Sequence, residues 1–119
     1  MNNILTERTK KFALMVINLV RVLPKNELNY IIAKQVLRSA TSTGANYRSA
    51  LRGKSKADFI YKLCIAEEEA DESCYWLEIL IESDILNTND TFVVLKEAKE
   101  ITAILTASRK TAKERFENK

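Results

Sequence analysis

The sequence predicts an all-α protein, an antiparallel up-down four-helix bundle, and three observations predict it. Only two glycines and one proline occur in 119 residues, so helices can run long and loops must be short. Start and stop signals divide the chain into four helical stretches. Within three of these, apolar and small residues recur at alternating spacings of four and three, the rhythm of a seam facing other helices. Short connections between seamed helices favour antiparallel neighbours. With no internal repeat, low-complexity segment or linker, one domain over residues 1–119 is expected.

Thr6 is expected to cap a first helix that runs to about Val22 and stops at Leu23-Pro24, since proline disfavours α geometry in the residue before it. Ten of the twelve residues from Phe12 to Leu23 are apolar, so oil goes nearly all round and the helix should be buried on more than one side. In so short a chain that extra burial points to a second subunit, with Phe12, Ile17 and Val20 as interface residues of a homo-oligomer. The same run is about half a bilayer span and is broken by Asn18 and Arg21, so it is no membrane helix. Behind Glu7, Arg8, Lys10 and Lys11, and without a small-residue cleavage site, it does not read as a signal peptide either. A cytoplasmic location is the expectation.

The second helix should span about Glu27 to Leu51 and end at Arg52-Gly53. Its seam reads Ile32, Val36, Ser39, Thr43, Asn46 and Ala50, turning from aliphatic to small and hydroxylated halfway. Ala33, Leu37, Ala40, Gly44 and Tyr47 form a neighbouring stripe. Small side chains let a facing backbone come close, and buried hydroxyls there need partners. A polar packing network is therefore expected in which Ser39, Ser42 or Asn46 bonds to Glu69 or Glu72 of the third helix. Gly44 would be kept small by contact.

Ser55 opens the third helix, with Asp58 as a capping-box-like acid, and the helix should reach about Ser83. Phe59, Leu63, Ala66, Ala70, Ser73, Leu77 and Leu80 make its seam. After a turn at Asn87 to Asp90, a fourth helix from about Thr91 to Phe116 carries Val94, Ala98, Ile101, Leu105, Ser108 and Ala112 in the same rhythm.

Much chemistry is excluded. The chain has no histidine, which removes histidine-dependent triads and the Glu-x-x-His ligands of di-iron bundles. No glycine-rich phosphate loop or zinc spacing is present, so no cofactor and no metal is expected, and the protein reads as a non-enzyme. The acidic run EEEADE, Glu67 to Glu72, reads as a solvated helix face. Cys64 and Cys74 lie on one helix about 15 Å apart along its axis, too far for a disulfide.

Charge divides unevenly. Residues 1–54 hold ten Lys or Arg and two acids, residues 55–86 two and nine, and residues 87–119 seven and five. A basic first half suits an RNA- or DNA-facing surface, and equally suits ion pairs within the bundle or between subunits. Candidate phosphate contacts are Arg8, Lys11, Arg21, Arg38, Arg48, Arg52, Lys54 and Lys56. A scaffold that docks a protein partner without touching nucleic acid is the competing expectation.

The region Leu37 to Leu80 resembles the bacterial four-helix bundle protein family, also called the 23S ribosomal RNA intervening-sequence protein family. Arg38-Ser39-Ala40-Thr41-Ser42 and Gly44-Ala45-Asn46-Tyr47 match its RSATSIGAN element. Ser55-Lys56-Ala57-Asp58-Phe59-Ile60 with Lys62-Leu63 matches SKxDFIxKL, and Tyr75-Trp76-Leu77 matches YWL. The chain departs from the pattern at Ser49-Ala50, where a glutamate is frequent, and at Glu68, where a lysine is. The resemblance implies a left-handed bundle that assembles as a homopentameric barrel. It also implies a ribosomal-protein-like or retroelement accessory role, with structured RNA or DNA, or a protein such as a reverse transcriptase, as partner.

Overall fold

The computed structural model describes residues 3–118. Four helices and no strand occur among them: α1 (Ile4–Val20), α2 (Glu27–Leu51), α3 (Lys56–Glu82) and α4 (Asn89–Glu117). They form a rod of 52 × 24 × 20 Å. No helix is long and apolar enough to cross a membrane.

Each start is fixed by a polar side chain that accepts otherwise unsatisfied N–H groups of the first turn. Asn3, and not Thr6, caps α1: its Oδ1 accepts from the N–H groups of Leu5 at 3.0 Å and Thr6 at 3.3 Å. Tyr47 Oη donates to the same oxygen at 3.1 Å, so the cap also ties α1 to α2. Asn26, Ser55 and Thr88 cap the other three helices. Asp58 reaches past the Ser55 cap and accepts from the Lys54 N–H at 3.1 Å. α3 ends with Asp84 in the left-handed region at φ 62°, where the chain reverses toward α4.

Consecutive helices run antiparallel. Between α3 and α4, Glu78 faces Lys99, Cys74 faces Thr102 and Glu67 faces Arg109, numbers falling as their partners rise. Arg8 facing Glu97 and Glu100 closes the ring between α1 and α4. Among the described residues these are the only ion pairs joining those two helices.

The predicted seams meet in one core. Leu63, Ala66, Ala70, Ser73, Leu77 and Leu80 of α3 are fully buried, as are Ala98, Ile101 and Leu105 of α4 and Val36, Ser39 and Thr43 of α2. Each large aliphatic so placed contributes about 1.5–3 kcal/mol of burial. Phe59, Ser108 and Ala112, at the far end of those seams, are half-buried. Cys74 is buried and Cys64 half-buried, and both are free thiols.

α1 corrects the sequence expectation. Phe12 is fully buried in its own bundle beside Val16 and Leu19, so it is not available as a subunit contact, while Val20 packs against the same core and is half-buried. Helical rotation explains it: Leu5, Phe12, Val16 and Leu19 share one face of α1. Ile17 is half-buried, and the apolar side chains turned to solvent are instead Ile4, Leu14 and Val22.

Candidate nucleic-acid interface

The eight basic residues proposed from sequence fall into three groups. Arg8 and Arg38 are consumed by ion pairs between helices. Arg8 bonds Glu97 through Nε and Nη2, both at 2.7 Å, and Glu100 at 2.6 Å. The guanidinium holds the Glu97 carboxyl below the usual carboxylate range, and its own pKa is raised in return. Arg38 spans the α2–α3 groove to Glu69 at 3.1 Å and to Glu72, whose Oε2 also accepts from Trp76 Nε1 at 3.0 Å. A guanidinium already forked onto two carboxylates has little left for a phosphate.

This clamp also corrects the expected polar network. Glu69 and Glu72 take Arg38, while Ser39 pairs with Ser73 and Thr43 bonds a carbonyl of its own helix. Ser73 Oγ lies 2.9 Å from Ser39 Oγ, and Ser39 Oγ donates to its own Val36 carbonyl at 3.1 Å. Asn46 Nδ2 donates to the Ser42 carbonyl at 2.9 Å, within α2. Gly44 faces α1 and not α3: a Cβ there would sit 3.1 Å from Thr9 Oγ1. The small stripe thus serves two interfaces, α3 through Ser39 and α1 through Gly44.

Rotation splits the acidic run three ways. Glu67 points to α4, accepting from Arg109 Nε at 2.5 Å and Thr106 Oγ1 at 2.7 Å, and these bonds hold its carboxyl low. Glu69 and Glu72 point to α2, and Glu68 and Asp71 face solvent. Among the described residues no cluster of acids and cysteines could hold a metal ion.

Arg21 stands apart, at the end of the rod formed by the α1–α2 and α3–α4 connections. Residues 21–30 and 78–90 there carry two basic side chains and five acids. Arg48, Arg52, Lys54 and Lys56 lie at the opposite end, all exposed. Lys11, exposed on α1, lies in the half of the rod nearer that end, and its neighbour Lys10 shares a groove with Arg48, Thr41 and Gly44.

The last turns of α4 come to the same place. Ala107, Ser108, Thr111, Ala112 and Arg115 line one groove with Phe59 of α3. Lys110, Lys113 and Arg115 therefore join the α2–α3 turn, a convergence the sequence reading missed. Residues 48–62 and 106–118 together carry nine Lys or Arg against three acids, net +6. Of the nine, Arg109 is paired with Glu67 and Lys62 with Asp58. Seven basic side chains remain exposed at one pole.

Against this geometry, residues 1–107 match the family described as 23S rRNA-intervening sequence protein. The chain belongs to that family. A solved structure from Bacteroides thetaiotaomicron VPI-5482, a protein of unknown function from the S23 ribosomal protein family, is 36% identical to it. The alignment covers 90% of this chain and 99% of that one, with a TM-score of 0.83. No curated protein matches this chain. Family membership extends the resemblance seen over Leu37 to Leu80 back through α1 and forward into α4.

Proposed function

We propose that this family member is a non-catalytic, oligomeric accessory protein of the bacterial cytoplasm that binds RNA or DNA through the basic pole of its bundle. One observation carries the reading: charge is segregated along the rod, with net +6 at one end and net −3 at the other. Such a separation draws a polyanion end-on and adds a sequence-independent, salt-sensitive affinity. Lys11, Arg48, Arg52, Lys54 and Lys56 remain as phosphate contacts. Arg8 and Arg38 become structural, and Arg21 falls to the wrong end.

Self-assembly, as a homopentamer in the family pattern, is the other part of the proposal. Its support is the exposed apolar surface near the α1–α2 connection, where Val22, Leu28, Tyr30 and Ile31 are all turned to solvent. The same patch favours a second reading, a scaffold that docks a protein partner without nucleic acid. Titration of structured RNA and duplex DNA at low and moderate salt separates the two. Binding that weakens steeply with salt supports the first reading, and no binding at micromolar protein overturns it.

A further inference from the structure

We propose that the groove at the basic pole takes an unpaired nucleobase, so that the protein prefers single-stranded over duplex nucleic acid. This rests on the proposed nucleic-acid function and names its substrate class. Arg8 faces Glu97 and Glu100, so the start of α1 at Ile4 lies level with about residues 102–104 of α4. From there α4 runs on for about 20 Å without α1 beside it. The bundle narrows to three helices, and a groove of about 390 Å³ opens between α3 and α4.

Its lining suits a flat ring. Ala107, Ser108, Thr111 and Ala112 are small and uncharged, Phe59 is half-buried in the wall, and Arg115 is exposed at the edge. Phe116 continues the inward stripe of Leu105, Ser108 and Ala112, yet it is 45% exposed. Continuing the register of Glu67 with Arg109 places it level with Phe59. The core seam thus ends in Phe59, half-buried in the groove wall, and the more exposed Phe116 beyond it, at the pole where Arg115, Lys54, Lys56, Lys110 and Lys113 are exposed. Aromatic faces beside a polycationic rim are how single strands are held: rings stack on bases while cations track phosphates. In a duplex the bases are already stacked and paired and have no ring to offer.

The test is fluorescence anisotropy with a short labelled oligouridylate and an RNA duplex of equal length, at low and moderate salt. The single strand should bind about tenfold more tightly than the duplex, the scale of one stacked base. Phe116→Ala should lose that tenfold for the single strand alone, its melting unchanged because the ring is already exposed. K110E/K113E should weaken both probes and flatten the salt dependence, and R21E/K25E at the acidic pole should change neither. Equal affinity for both probes, or full single-strand binding by Phe116→Ala and K110E/K113E, overturns the groove while leaving nucleic-acid binding standing. No binding of either probe removes both.

Discussion

The α2–α3 interface and the α1–α4 interface are built by opposite means. Between α2 and α3 the seam is small and hydroxylated, and it closes completely: Ser39, Thr43, Ala66, Ala70 and Ser73 leave no exposed surface. Between α1 and α4 the residues are large and aliphatic, yet a groove of about 360 Å³ lined by Met15, Leu19, Val22 and Val93 stays open. One ion-pair clamp, Arg8 on Glu97 and Glu100, holds the middle. The contrast shows that hydrophobic content does not by itself decide how tightly helices pack. Side chains that let backbones approach close an interface, and bulky ones leave its flanks to be covered by something else.

The comparison can be broken most forcefully at Phe12. If this ring belongs to the bundle core and not to a subunit contact, Phe12→Ala should cost about 3–5 kcal/mol in urea unfolding, with the same loss at every protein concentration. A loss that grows on dilution would return Phe12 to an interface. Gly44→Leu tests the close approach of α2 to α1. The added side chain meets Thr9 Oγ1, and overpacking should cost about 1–3 kcal/mol. An unchanged melting temperature would show the space to be slack.

Smaller effects sharpen the picture. Ser39→Ala and Ser73→Ala should each cost about 1 kcal/mol, and the double variant less than their sum, because either single change already breaks the bond between the two hydroxyls, each of which keeps a carbonyl of its own helix as acceptor. Strict additivity in that cycle would mean the two hydroxyls do not interact. Glu67 and Glu97 have folded pKa values depressed by Arg109 and Arg8. Their contribution is fully present above the ordinary carboxylate value of about 4.3 and is lost as pH falls through the lower folded values. The melting temperature should therefore fall on acidification below that range, and E67Q/E97Q should melt lower at neutral pH and fall less in acid. Leu14→Lys should have the smallest effect on folding, within about 0.5 kcal/mol, because the side chain is already 51% exposed. If α1 carries the subunit contact, light scattering should nevertheless show a smaller assembly.

The α2–α3 half was the more legible in sequence. Four-three spacing encodes a face directly, and Leu51 before Arg52-Gly53 marked the end of α2 at the residue where it stops. Ser73 stood on the predicted α3 seam, but a serine pairing with a serine gives no sequence signal, so acidic partners were expected for Ser39. α1 misled because Asn3 and Thr6 are both good caps, and only the tertiary bond from Tyr47 favours Asn3 visibly. The basic pole was hidden for another reason. Charge counted along the chain gives residues 87–119 only +2, whereas antiparallel folding lays their basic end against the α2–α3 turn. Lys110, Lys113 and Arg115 become part of one surface only once the helices reverse.

The end of α4 that α1 does not cover also sets where the molecule opens first. Backbone amides from Leu63 to Leu80 lie on a helix with buried neighbours on both sides, and their exchange with solvent deuterium should require unfolding of the whole bundle. Amides from Thr111 to Glu117 lie on turns whose outer faces are exposed and which no α1 covers, so they should exchange by local fraying, many times faster. Global unfolding and local fraying are thus divided between the middle of α3 and the end of α4, and a ligand seated at the pole would register as slowed exchange in the last two turns of α4.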